Sequence, residues 1–300
     1  MKEIGRQLTA MVTPFTKEGK VDYEQAKKLA LALIASGSDG VVVTGTTGES
    51  PTLTHREEFK LWAEVKKAVG SKGAVIAGSG SNCTSEAVKS SKEAEKIGMD
   101  GCLLVVPYYN NPSQDGLYEH FKAIAKAVPK MPCIMYNVPS RTVRNLASET
   151  VIKLSKDKDC QNIVGIKEAS ANYDQIGKII SDSREGFRVW SGNDSDTFAI
   201  LAFGGYGIIS VTAHLVGLQV KDMINSFVQG DIAKARRLHH YMMPLVNAMF
   251  VVANPCPVKY ALNCVGFRVG KPRLPLVEPD PKSAQTIKDT LKNYKIDLPL

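Results

Sequence analysis

Gly101-Cys102-Leu103-Leu104-Val105-Val106, followed at once by Pro107-Tyr108-Tyr109-Asn110, is the run on which the fold turns. A strand with one wet face alternates apolar and polar residues, and this one does not. It describes a strand buried on both faces, as in a parallel sheet wrapped by helices. Val41-Val42-Val43 and Gly207-Ile208-Ile209-Ser210-Val211 have the same character.

Outward from this run the pattern repeats. Strand-like stretches are expected at residues 7–12, 40–43, 74–78, 101–106, 133–136, 163–167, 187–191 and 207–211. Amphipathic helical stretches at 23–36, 55–69, 85–97, 114–128, 147–156, 173–183 and 196–203 separate them. Eight such units in roughly 210 residues predict an α/β chain folded as a (β/α)8 TIM barrel. The alternative is an open doubly wound sheet. The Gly-rich turn Gly45-Thr46-Thr47-Gly48 speaks against it, because it follows the second strand and lacks the dinucleotide spacing G-x-G-x-x-G. Beyond Val211 only helical patterning remains, at 218–229, 232–252, 258–264 and 282–294. The chain therefore divides into a barrel over 1–225 that carries the site and a C-terminal helical domain over 226–300, with no Pro-, Gly- or Ser-rich linker between them.

Composition is that of an ordinary globule, 44% hydrophobic and 23% charged. The 38 basic residues exceed the 30 acidic ones for a net charge of +8, but they are scattered in pairs such as Lys66-Lys67 and Arg236-Arg237. No basic run forms a nucleic-acid patch. The mild positive field suits substrates that carry carboxylates. Six cysteines without C-x-x-C spacing, and a start MKEIGRQLTA without an apolar secretory core, predict a reduced, cytoplasmic chain. Cys102 and Cys133 read as core residues. No apolar stretch approaches the roughly 18 residues of a membrane span.

Barrel chemistry sits at the C-terminal ends of the strands, so polar residues that close apolar runs are the candidates. Lys167 closes Ile163-Val164-Gly165-Ile166. An inward-facing lysine there loses its proton to desolvation or finds a partner, and a neutral amine condenses with a ketone to an imine that serves as an electron sink. One register away, Lys167 faces solvent and Glu168 faces inward. Tyr136 closes the neighbouring strand within reach of that amine. Thr46 and Tyr109 can extend a hydroxyl relay in place of one strong base. The turn around Thr47 offers backbone N–H groups to a carboxylate, and Arg141, after Pro139, offers a guanidinium fork to a second one. Taken singly, each is as well explained as a core aromatic, a turn threonine or a surface arginine.

Six segments taken together carry a resemblance: Gly45-Thr46-Thr47-Gly48-Glu49, Tyr108-Tyr109-Asn110, Tyr136-Asn137-Val138-Pro139-Ser140-Arg141-Thr142, Gly165-Ile166-Lys167-Glu168-Ala169-Ser170, Ser191-Gly192-Asn193-Asp194 and Asn254-Pro255-Cys256-Pro257-Val258-Lys259. Over essentially its whole length the chain resembles the dihydrodipicolinate synthase branch of the dihydrodipicolinate synthase/N-acetylneuraminate lyase superfamily. The resemblance implies condensation of pyruvate with L-aspartate 4-semialdehyde to 4-hydroxy-tetrahydrodipicolinate, with no metal or nucleotide cofactor, in a homotetramer built from two tight dimers. It implies that Lys167 forms the Schiff base and that Tyr136, Thr46 and Tyr109 relay protons, Tyr109 across the dimer interface. Thr47 and the backbone near Ile209 then bind pyruvate, Arg141 receives the aldehyde's carboxylate, and Gly192 lines the pocket.

Within the superfamily Arg141 and the Thr46-Thr47 pair favour the synthase. Sugar-acid and hydroxy-oxoglutarate aldolases share Lys167 and Tyr136. A lysine-inhibitor site in sensitive members matches Ser50, His55, Asn82, Glu86 and Tyr108, whereas Pro51 and Glu58 depart from that pattern and predict weak or altered inhibition. A non-catalytic barrel is the reading from a different class, and every catalytic position being filled speaks against it.

Overall fold

The computed structural model describes residues 3–299. Its eight strands are β1 Gln7–Ala10, β2 Gly40–Val43, β3 Ala74–Gly78, β4 Gly101–Val105, β5 Cys133–Asn137, β6 Ile163–Glu168, β7 Arg188–Ser191 and β8 Gly207–Ser210. They close in chain order into a parallel barrel, so the fold is the (β/α)8 barrel that the buried runs require. The helices are α1 Tyr23–Ala35, α2 His55–Val69, α3 Thr84–Ile97, α4 Gln114–Ala127, α5 Pro139–Thr142, α6 Ser148–Lys156, α7 Tyr173–Asp182, α8 Thr197–Ala202, α9 Ala213–Val228, α10 Ile232–Ala248, α11 Cys256–Cys264 and α12 Pro281–Leu291.

By spatial proximity the chain forms two compact units: the residues up to Arg6 with Ile76–Ile209, and Gln7–Val75 with the residues from Ser210 onward. In the first, β4 to β7 pair in parallel, with a register shift between Cys133 and Ile134 in the β5–β6 ladder, and bury Leu104, Met135, Ile166 and Trp190. The close approach of β6 to β7 requires Gly165, since a Cβ there would lie 2.1 Å from the Arg188 carbonyl oxygen. In the second unit α2 begins with a capping box, Thr54 and Glu57 each satisfying the other's backbone N–H, and buries Leu61, Trp62, Val65 and Val69 on one face.

Two departures from the expected elements have local causes. β1 stops at Ala10 instead of reaching residue 12 because the Val12 N–H leaves the ladder to donate to His214 Nε2 at 3.1 Å. His214 Nδ1 meets the Val211 carbonyl at 2.8 Å, and burial pushes the ring down to about 4, so it is neutral, with Nδ1 carrying the proton and Nε2 free to accept. The helix expected from residue 218 begins at Ala213, with a break in helical backbone at Val216.

Candidate active site

Neighbouring residues on β5 and β6 decide which way Lys167 points. Tyr136 stands opposite Lys167, and Asn137 opposite Glu168. Glu168 is fully buried and faces the helix layer. It accepts from Asn137 Nδ2 at 3.1 and 3.2 Å, from Gln175 Nε2 on α7 at 3.2 Å and from the Ser170 N–H at 2.8 Å. Burial raises its pKa, against the pull of those donors. Because side chains alternate along a strand, Lys167 and Tyr136 both face the other way, into the barrel. The register in which Glu168 would point inward is therefore excluded.

Lys167 is 5% exposed and its Nζ lies 4.4 Å from the centre of the Tyr136 ring. Burial lowers its pKa to about 8, with Asp194 opposing that fall and Arg141 adding to it. Roughly a tenth of the amine is then neutral at pH 7, orders of magnitude more than for a solvated lysine. Asp194 is itself buried, and the Ser191–Asp194 pattern alone assigns it no role. Arg141 lies exposed on α5, a single turn opened by Pro139 and closed by Val143 in the left-handed region. Gly192 donates its N–H to the Glu168 carbonyl at 2.7 Å. A Cβ there would come within 2.7 Å of Ala169 Cβ, so no side chain fits. Ile209 is buried in β8.

Tyr109 is not gathered with these groups within one protomer. The residue is 94% exposed and its backbone left-handed at φ 74°, a conformation that costs on the order of 1 kcal/mol or more in a bulky residue. The loop that presents it is pinned: Asn82 Nδ2 donates to the Tyr108 carbonyl at 3.1 Å, and Asn110 Nδ2 to the Asn82 carbonyl at 2.8 Å.

In the second unit, the Gly45–Glu49 turn is held from several sides. Gly48 donates its N–H to the Gly45 carbonyl and Glu49 to that of Thr46, while Thr13 Oγ1 donates to the Gly48 carbonyl at 2.6 Å. Thr46 is half-buried. Thr47 is buried, and its Oγ1 accepts from Asn254 Nδ2 at 2.9 Å. Glu49, left-handed at φ 57° and fully buried, meets Lys259 Nζ at 2.7 Å and the Arg273 N–H at 2.8 Å.

Lys259 is a second buried lysine, and burial also lowers it to about 8, against Glu49. Its three donors reach three acceptors: Glu49 Oε1, the Thr13 carbonyl at 3.0 Å and the Lys271 carbonyl at 3.1 Å. An amine so engaged is a structural ammonium, and the contrast with Lys167 separates the two. Local sequence pattern alone assigns residues 254 and 259 no role. Their meaning appears only when α11 is laid against the turn.

The residues matched to an inhibitor site form two groups. Glu58 accepts from Ser50 Oγ at 2.8 Å and lies 3.3 Å from His55 Nδ1, and burial raises its pKa. Asn82 binds the Tyr108 carbonyl as above, and Glu86 accepts from Ser81 Oγ at 2.9 Å. Among the described residues no three His, Cys, Asp or Glu side chains are grouped to hold a metal ion.

Known proteins resemble this chain over its whole length. A model of the dihydrodipicolinate synthetase family matches residues 3–294. A 4-hydroxy-tetrahydrodipicolinate synthase of Dehalococcoides mccartyi is 59% identical over 300 residues, 100% of both chains. A crystal structure of DHDPS from Cyanidioschyzon merolae with lysine bound superposes with a TM-score of 0.95 at 45% identity, covering 97% of this chain and 98% of that one. The dihydrodipicolinate synthase of Aquifex aeolicus does so with a TM-score of 0.95 at 41% identity, over 98% and 99%.

Proposed function

The chain belongs to the dihydrodipicolinate synthetase family, and from that premise we infer that it condenses pyruvate with L-aspartate 4-semialdehyde to 4-hydroxy-tetrahydrodipicolinate, through an imine on Lys167. The observation that carries the chemistry is a buried amine facing into the barrel, its pKa lowered to about 8, against the ring of Tyr136.

The steps follow from that amine. Neutral Lys167 adds to the pyruvate ketone, and loss of water leaves a protonated imine. The imine draws electrons from the methyl carbon, which gives up a proton to become an enamine and attacks the aldehyde carbon. The amine of the second substrate then displaces Lys167 as the ring closes, which returns the enzyme. Tyr136, Thr46 and the tyrosine at position 109 of a second copy move the protons. Thr47 and the backbone near Ile209 hold the keto acid, Arg141 receives the carboxylate of the aldehyde, and Gly192 keeps the pocket wall open.

The chemistry belongs to the barrel over 1–225, with 226–300 as the helical domain, in a cytoplasmic homotetramer of two dimers that needs neither metal nor nucleotide. Among the described residues no helix is long and apolar enough to cross a membrane. Ser50, His55, Asn82, Glu86 and Tyr108 form a lysine site weakened by Pro51 and Glu58. Strong inhibition at micromolar lysine would contradict that part.

Substrate choice is tested by competing aldehydes. Turnover of aspartate semialdehyde should exceed that of sugar-derived aldehydes and of N-acetylneuraminate by at least about a hundredfold in kcat/KM. The reverse order would reassign the chain to a sugar-acid aldolase.

A further inference from the structure

We propose that Asn254 is a positioning residue for the keto acid's carboxylate, acting through the hydroxyl of Thr47. This rests on the reading that Thr47 receives that carboxylate. A threonine hydroxyl has one proton and can accept as well as donate, so on its own it can turn either way. The Asn254 amide nitrogen only donates, and at 2.9 Å it makes Thr47 Oγ1 the acceptor in their bond. The Thr47 proton is thereby directed elsewhere, and the hydroxyl is preset as a donor to an anion. Both side chains are buried, where a fixed dipole acts with little screening.

The arrangement is held at both ends by one element. Asn254 lies just before α11, and Lys259 on that helix grips Glu49, the residue that closes the same turn. Thr13 holds the Gly48 carbonyl between them. The Thr47 hydroxyl can therefore neither rotate freely nor drift with the turn. The selectivity that follows is for a ketone bearing a carboxylate, because an uncharged ketone gains less from a preset donor.

The test measures how much pyruvate half-saturates the borohydride-trapped adduct on Lys167 in the full-length protein, alongside KM for aspartate semialdehyde. Asn254→Ala should raise the pyruvate half-saturation about tenfold while leaving KM for the aldehyde within about twofold. Asn254→Asp should be worse, about a hundredfold, because its carboxylate accepts the Thr47 hydroxyl's hydrogen bond and repels the substrate. In a Thr47→Val background, Asn254→Ala should add less than about twofold, since the route through Thr47 is already gone. If Asn254→Ala fails to fold, Asn254→Ser replaces it in the same comparisons. An unshifted half-saturation, an Asn254→Asp variant that binds pyruvate as well as Asn254→Ala, or a full additional loss in the Thr47→Val background overturns the proposal. Absence of any adduct in the unaltered protein instead overturns the imine reading on which it rests.

Discussion

Lys167 Nζ lies 4.4 Å from the centre of the Tyr136 ring, on a residue that stands directly opposite Tyr136 in the β5–β6 ladder. An aromatic face favours the ammonium form and burial disfavours it. Burial is the larger effect, since the amine falls from 10.5 to about 8.

That shift has a stability cost with a definite sign. Between about pH 8 and 10.5 the unfolded chain holds a proton that native Lys167 has released, so the native state gains stability as pH rises through this window. Below pH 8 the buried ammonium costs roughly 3 kcal/mol relative to an unshifted lysine. Lys167→Met should therefore raise stability at pH 7 by about 2–3 kcal/mol, a gain that shrinks by about half or more at pH 9.5. Urea midpoints at the two pH values check this, and an equal gain at both contradicts it.

Lys259 should behave in the opposite way, although burial lowers it to the same value. Removing it leaves Glu49 and the Thr13 and Lys271 carbonyls without their shared donor. Lys259→Met should cost about 3–5 kcal/mol, because a buried charge is left uncompensated. Urea denaturation showing a loss under about 1 kcal/mol would mean that the pair does not hold the turn.

The exposed ring of Tyr109 predicts complementation between subunits. If it serves the site of a second copy, Lys167→Ala and Tyr109→Phe each abolish most activity alone. Refolding the two together gives hybrid dimers in which one site carries both defects and the other carries neither. Activity should recover to about a quarter of the unaltered level in an equal mixture. No recovery, with hybrids verified by native mass spectrometry, would place Tyr109 in its own protomer's site.

The strands and the inward-facing lysine are legible in the sequence because both are local. β2 and β3 begin and end where apolar character begins and ends, and Lys167 and Tyr136 close such runs. α5 was not legible, since four residues opened by a proline show no periodicity. Nor was the early start of α9, hidden by the break at Val216. The direction of Glu168 is ambiguous in sequence because the residue that holds it, Asn137, lies 31 residues away. Asn254 is 207 residues from Thr47, a pairing that no local pattern announces. Family resemblance located these segments, but only their contacts give Asn254 and Lys259 a job.

The proposed chemistry stands or falls on an imine between Lys167 and pyruvate. Incubation with pyruvate, reduction with borohydride and mass analysis of intact protein and peptides test it most directly. One reduced pyruvyl group per chain is expected, on Lys167 and absent from Lys167→Ala. No adduct, or an adduct on Lys259 or another lysine with Lys167 unmodified, would contradict it.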